Sequence, residues 1–207
     1  PLKQQPSYNE LIYCLRAIEI HHPEQEVMIV GSLPTWIKNV IHLPFKDGLH
    51  HEYKARNIYL KIKEAFRYCD EMIFFNDDHI ILAPVDYIHH KGLMTIDNRH
   101  TLGTYTALLR NTMAKFPGCM DFDTHCPIVY NKENFAKLEA LDWNKPHGYG
   151  IKTSYCMLNG IVGGFYPDLK FRHTIGDIEG RMYFSTDDSC DLSKLKEIYK
   201  NRCKFEK

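Results

Sequence analysis

The seven cysteines of this chain, Cys14, Cys69, Cys119, Cys126, Cys156, Cys190 and Cys203, include no C-x-x-C pair. Scattered and odd in number, they argue against a zinc knuckle or a disulfide scaffold and for a reducing compartment. No apolar run approaches the roughly 20 residues of a membrane span, and no signal peptide is visible, so a cytoplasmic protein is expected. Neither sign of charge is in excess. Lys plus Arg and Asp plus Glu stand at 26 each, which removes the global electrostatic case for nucleic acid and leaves only a local basic patch open. There is no internal repeat and no low-complexity linker. A chain of 207 residues then fits one domain, burying roughly 70% of the surface its unfolded form exposes.

What the sequence does contain is a pair of acids in an unexpected place. Residues 71 to 84 form a short apolar run that stops at Asp77 and Asp78 and then resumes. A strand end carrying adjacent carboxylates costs several kcal/mol in lost hydration, by a rough estimate, unless a positive charge compensates. Mg²⁺ or Mn²⁺ would do so, because hard cations take one or two carboxylates, several waters and the oxygens of a substrate phosphate. The alternative is a tight turn between two strands, for which Asn76-Asp77-Asp78 is equally good chemistry.

Apolar spacing predicts a helix from Asn9 to Ile20 that buries Leu11, Ile12, Leu15 and Ile18, and another from about Glu52 to Tyr68. Between them Val27 to Val30 and Val40 to Leu43 read as short buried strands. Strand, helix, strand in this order predicts an α/β protein with right-handed crossovers and a mostly parallel central sheet flanked by helices. Ligands are then expected at the carboxyl ends of the strands, where Asp77 and Asp78 lie. Further helices are predicted over residues 103–115, 132–141, 150–159 and 191–201, with a short strand from Ile128 to Tyr130 and a Gly-rich break at Gly160, Gly163 and Gly164. Of the twelve histidines, the pairs His21-His22, His50-His51 and His89-His90 are expected mostly on the surface, since sequence neighbours point different ways.

Three blocks carry a family likeness: Glu10 to Glu19 with Met28 to Gly31 and Pro34 to Ile37; Phe74 to His79; and Thr124 to Asn131. In this order and spacing they resemble the Stealth-type capsular polysaccharide phosphotransferases and the related GlcNAc-1-phosphotransferases. They are also similar to shorter bacterial and phage proteins described as glycosyltransferases. The resemblance spans most of the chain and weakens after about Gly160. It implies a single GT-A-like (nucleotide-diphosphosugar transferase) domain, with a donor- and metal-binding half over residues 1–84 and an acceptor-side half over 85–207. Asp77 and Asp78 would stand where that fold has its D-x-D metal motif, and the family usually has a strand just ahead of the first block. The longer phosphotransferases carry regions that 207 residues cannot contain.

Under this likeness Asp77, Asp78 and His125 are the expected metal ligands, with Mn²⁺ or Mg²⁺ bridging to a nucleotide-diphosphosugar. His125 is alternatively a general acid or base, since its ordinary pKa lies near neutrality, or a structural loop residue. Asp123 is expected to orient the imidazole or bind the acceptor, and Asp78 to share in catalysis through the metal. Arg16 is expected either in a buried ion pair or on the donor. Lys54, Arg56, Asn57 and Lys61 open the second helix, where cationic groups suit a diphosphate, although a solvated face reads almost as well. Trp36 stacks on a base or simply packs, with packing favoured. His79 follows the acids but, on a continuing strand, points away from them. His173 is a candidate to complete the metal shell, and Asp187 and Asp188 are expected to cap the last helix. The reaction expected is glycosyl transfer to a hydroxyl, on a glycan more readily than on a modified DNA base. Sugar-1-phosphate transfer and a non-catalytic binding protein of the same fold are the alternatives.

Overall fold

The computed structural model describes residues 9–48, 50–96 and 103–207. Helix α1, Asn9–His21, forms where the apolar spacing puts it and buries Tyr13, Cys14, Leu15, Ala17 and Ile18. Strands β1, Met28–Val30, and β2, Ile41–Leu43, pair in parallel with Met28 opposite Ile41. Helix α2 is Lys54–Ala65, shorter than expected at both ends: the chain enters it through a 3₁₀ turn at His51–Tyr53 and leaves it through tighter turns over residues 66–68. Strand β3, Glu71–Phe74, ends just ahead of the acids, and β4, His79–Ile81, begins just after them.

The remaining elements are β5, His89–His90; α3, Thr104–Lys115; β6, Ile128–Asn131; α4, Lys132–Ala136, which continues as a 3₁₀ turn; α5, Ile151–Leu158; β7, Gly164–Phe165; β8, Lys170–Phe171; β9, Tyr183–Thr186; and α6, Ser193–Ile198. Two antiparallel ladders matter most for function. β3 pairs with β6, Phe74 opposite Ile128, and β4 pairs with β9, His79 opposite Ser185. β8 runs parallel to β9, and β5 runs parallel to β7.

The chain is therefore mixed α/β, as expected, but its strands are distributed differently from the mostly parallel central sheet read from the sequence. Among the described residues they form small sheets of two or three strands, with parallel and antiparallel ladders together. The reason is local: residues 75–78 between β3 and β4 are too few for a crossover helix, so each strand takes its partner from the second half of the chain. Strands β5, β7, β8 and β9 escape sequence reading. Tyr183-Phe184-Ser185-Thr186 is buried along its whole length yet half polar, so it has neither alternation nor an apolar run. His89 and His90 likewise depart from the expected surface position and are buried in β5.

One core cluster joins α2, β6, α4 and α5, with Tyr59 stacked on Trp143 at 4.4 Å and Tyr130 edge-on to Tyr155 at 4.8 Å. A second fills the space between α1, β4, β9 and α6. A third, around Leu15, Ile37 and Phe205, takes Trp36 as a packing residue. Here the residues near 203–207 return to α1, and Arg16 grips Glu206 with two bonds of 2.7 and 2.8 Å while donating to the Tyr199 carbonyl at 2.6 Å. Burial pushes the Glu206 carboxyl up, but the hydrogen bonds from Arg16 and Cys203 outweigh it and hold it below the usual range.

A carboxyl held low contributes stability that is complete above its ordinary value of 4.5 and fades as pH falls through the folded value. Arg16→Met, which strands the buried Glu206 charge, is expected to cost about 3 kcal/mol at pH 7. The deficit relative to the unsubstituted chain narrows toward pH 3, as urea unfolding at the two pH values would measure.

Candidate functional site

The turn from β3 to β4 places Asp77 and Asp78 on a cavity also lined by Glu10, Asn76, Lys170, Thr186, Asp187, Asp188 and Ser189. Each lining residue arrives for a structural reason. Glu10 comes from the first turn of α1, Lys170 from β8, and Thr186 to Ser189 from the end of β9. Lys170 Nζ donates to Asp78 Oδ2 at 2.9 Å, and Thr186 Oγ1 donates to Glu10 Oε1 at 2.5 Å. Asp78 Oδ1 is buried and has no hydrogen-bond partner.

Negative charge exceeds positive charge here, and the carboxyls register it. Glu10 is raised above its ordinary pKa by burial and by the charges of Asp78, Asp188 and Asp77, against a smaller lowering by the Thr186 hydroxyl. Asp77 is raised by crowding of protein around it and then by the charge of Asp78. Its side chain stays accessible at the cavity mouth, so solvent moderates the size of that effect while leaving its direction upward. His79 is fully buried and, through loss of hydration and the nearby charges of Lys152, His125 and Lys170, is held neutral. Its Nδ1 accepts the Asn76 amide at 3.4 Å, which puts the ring proton on Nε2. That Nε2 lies 3.9 Å from Asp78 Oδ1, and neither atom has a hydrogen-bond partner. His79 thus faces Asp78, not away from it as the strand pattern predicted.

An orphaned carboxylate oxygen beside a second acid is the environment a hydrated divalent cation fits. Among the described residues no group of three or more His, Cys, Asp or Glu is arranged to hold a metal by itself. Mg²⁺ and Mn²⁺ do not require one, because water and phosphate oxygens fill the remaining positions. His125 stands outside this cavity, in a neighbouring one that shares Asn76 with it.

This second cavity has a volume of about 380 Å³ and is lined by Lys54, Ile58, Tyr105, Asp123, His125, His147, Tyr149 and Lys152, among others. His125 sits at the apex of a loop whose flanking carbonyls, Thr124 and Cys126, both accept from the buried Lys152 ammonium at 2.6 Å. Its Nδ1 lies 3.0 Å from both oxygens of Asp168, which also accepts the His125 amide at 2.8 Å. Burial would raise the Asp168 carboxyl, but the His125 bonds and the Lys91 charge bring it below its ordinary value, so it stays ionised. Lys91 extends the chain, 3.7 Å from Asp168 and 3.1 Å from Asp121.

Asp123, expected to orient the imidazole, does other work. Its two oxygens accept the Lys152 and Thr153 amides at 3.2 and 3.3 Å and hold the start of α5 against the cavity. Gly150 makes room for it, since a Cβ there would stand 1.9 Å from Asp123 Oδ2.

Lys54 lines the His125 cavity, but the rest of the anticipated diphosphate cluster is dispersed. Asn57 is buried within α2, Lys61 pairs with Asp47 at 2.9 Å, and Arg16 is committed to Glu206. His173 is exposed and outside both cavities. Asp187 and Asp188 line the acid cavity instead of capping α6, which receives Asp191 at the Ser193 amide, 2.9 Å away. Sequence reading missed Glu10, Lys170 and Asp168 as site residues. Glu10 reads as an ordinary first-turn acid, and Lys170 and Asp168 lie in a stretch whose strands carry no periodic signal.

Gly150→Ala is expected to cost about 2 kcal/mol through overpacking, and much less in an Asp123→Ala background where the clash is gone. Chemical denaturation of the two single variants and the double variant measures this. Compared with models of known protein families the chain finds no match, and compared with curated proteins it finds none either.

Proposed function

We propose that this chain is a divalent-metal-dependent glycosyltransferase of GT-A type, related to the Stealth-type transferases, which moves a sugar from a nucleotide-diphosphosugar to a hydroxyl. One observation carries the reading: the paired acids at the β3–β4 turn, with the unpartnered Asp78 oxygen, border a cavity that adjoins a second one lined by His125, whose imidazole is paired with Asp168. The first arrangement suits a cation and a diphosphate, and the second suits an acceptor hydroxyl.

Asp77 and Asp78 would hold Mn²⁺ or Mg²⁺, which when bound supplies Lewis-acid neutralisation of the departing diphosphate. Lys170 adds a fixed positive charge beside Asp78. Asp168 accepts the His125 Nδ1 proton, leaving Nε2 unprotonated and able to act as a base. His125 Nε2 then takes the acceptor hydroxyl proton as that oxygen bonds to the anomeric carbon. The bond from that carbon to the diphosphate breaks, and its electron pair leaves with the nucleotide. The equal balance of acidic and basic residues favours a glycan acceptor over DNA, which needs a basic face. Among the described residues no helix is long and apolar enough to cross a membrane.

Incubation with UDP-sugars, Mn²⁺ and oligosaccharide acceptors is expected to release UDP. Asp77→Ala and Asp78→Ala should each lower turnover at least about 100-fold and abolish Mn²⁺-dependent donor binding. Release of UMP would instead assign sugar-1-phosphate transfer. Mn²⁺-dependent donor affinity unchanged in both variants would contradict the role given to the acids.

A further inference from the structure

The wall of the His125 cavity holds two polar atoms that the fold leaves without a partner. Tyr130 is wholly buried in β6, its ring held by Phe74, Phe135 and Tyr155, and its hydroxyl makes no hydrogen bond. His147 Nδ1 is likewise buried and unbonded. Its backbone has a φ of +66°, a left-handed conformation uncommon outside glycine, and its amide is tied to the Glu52 carbonyl at 2.6 Å. A buried hydroxyl or imidazole nitrogen without a partner is costly, so both positions are explained if a ligand completes them.

The rest of the lining defines that ligand. Phe74, Tyr149, Leu108 and Ile58 offer apolar and aromatic faces, while Glu52 and Asp123 offer acceptors near them. Glu52 and Asp123 offset the Lys54 and Lys152 ammoniums, so the wall has no net positive charge to draw a phosphate. A polyhydroxylated ring fits all of it, because its C–H faces lie on aromatic rings and each hydroxyl both donates and accepts. The phenol stays protonated, since burial raises it well above its ordinary pKa, and it can therefore donate.

We infer that this cavity is the acceptor subsite and binds a pyranose ring, with Tyr130 Oη and His147 Nδ1 hydrogen-bonding its hydroxyls and His125 facing the one that reacts. The assignment rests on the transferase reading for the word acceptor, but sugar binding itself does not depend on the metal or the donor. Asp168 is a positioning residue in this scheme, acting on the sugar only through His125.

The test is ligand-detected NMR and calorimetry on the full chain with methyl glycosides of glucose, galactose, mannose and N-acetylglucosamine, and with uridine, in the absence of metal and donor. At least one glycoside is expected to bind. Tyr130→Phe should weaken it about five- to tenfold without lowering the melting temperature, because the hydroxyl has no partner in the protein to lose. Ile58→Trp, a change at the partly exposed cavity wall, should abolish binding. Asp168→Asn should leave glycoside affinity within about twofold and shift the pH profile of turnover. Binding of uridine but no glycoside, failure of every glycoside to bind, or a lower melting temperature with unchanged affinity in Tyr130→Phe would each overturn the inference. Glycoside binding that survives Asp78→Ala while no UDP-sugar is ever turned over would sink the transferase reading and leave the sugar subsite standing.

Discussion

An excess of negative charge gathered at one cavity constrains the rest of this molecule. Glu10, Asp77, Asp78, Asp187 and Asp188 meet at a cavity whose lining contains a single ammonium, that of Lys170. Loss of hydration, with the charges of the neighbouring acids added to it, makes Glu10 and Asp77 harder to ionise, whereas the Ser189 hydrogen bonds hold Asp187 below its ordinary value. Because the acids arrive from α1, the β3–β4 turn and the end of β9, their repulsion is opposed by the core beneath them. Ile80, Ile81, Tyr183 and Phe184 of the β4–β9 ladder are almost wholly buried there. Stability contributed by packing thus maintains an electrostatic arrangement that a cation would relieve.

The positive side of the balance lies behind the site. Lys152 is buried under the His125 loop, and loss of hydration lowers its pKa while Asp123, Asp168 and Asp78 favour its charged form. Its two carbonyl bonds fix the loop, and the Asp123 cap fixes the helix on which it stands. The His125 loop, its Asp168 partner and the start of α5 are therefore joined by one set of hydrogen bonds. Asn76 lines both cavities, which makes them neighbours.

Much of this was legible in the sequence wherever a local signal existed. The spacing of Leu11, Leu15 and Ile18 gave α1, and an apolar run interrupted by Asp77 and Asp78 gave both the β3–β4 turn and the principal candidate residues. The mixed pairing of the strands was not legible, because β9 is buried yet half polar and β5 is a pair of histidines. Nor was the partnership of His125 with Asp168, 43 residues apart, or that of Arg16 with Glu206, 190 apart. Such pairs depend on tertiary closure, and spacing within one element says nothing about them. Lys61 and Asn57 illustrate the converse: helical spacing left a diphosphate contact and a solvated face open, and in the structure Lys61 pairs with Asp47 while Asn57 is buried in α2.

The most direct test of the cation at the acid turn is an anomalous difference map from crystals grown with Mn²⁺ and UDP. A peak in contact with Asp77 or Asp78 and with a diphosphate oxygen is the predicted result. A map with the nucleotide bound elsewhere, or with no manganese at the turn under saturating metal, would contradict the account.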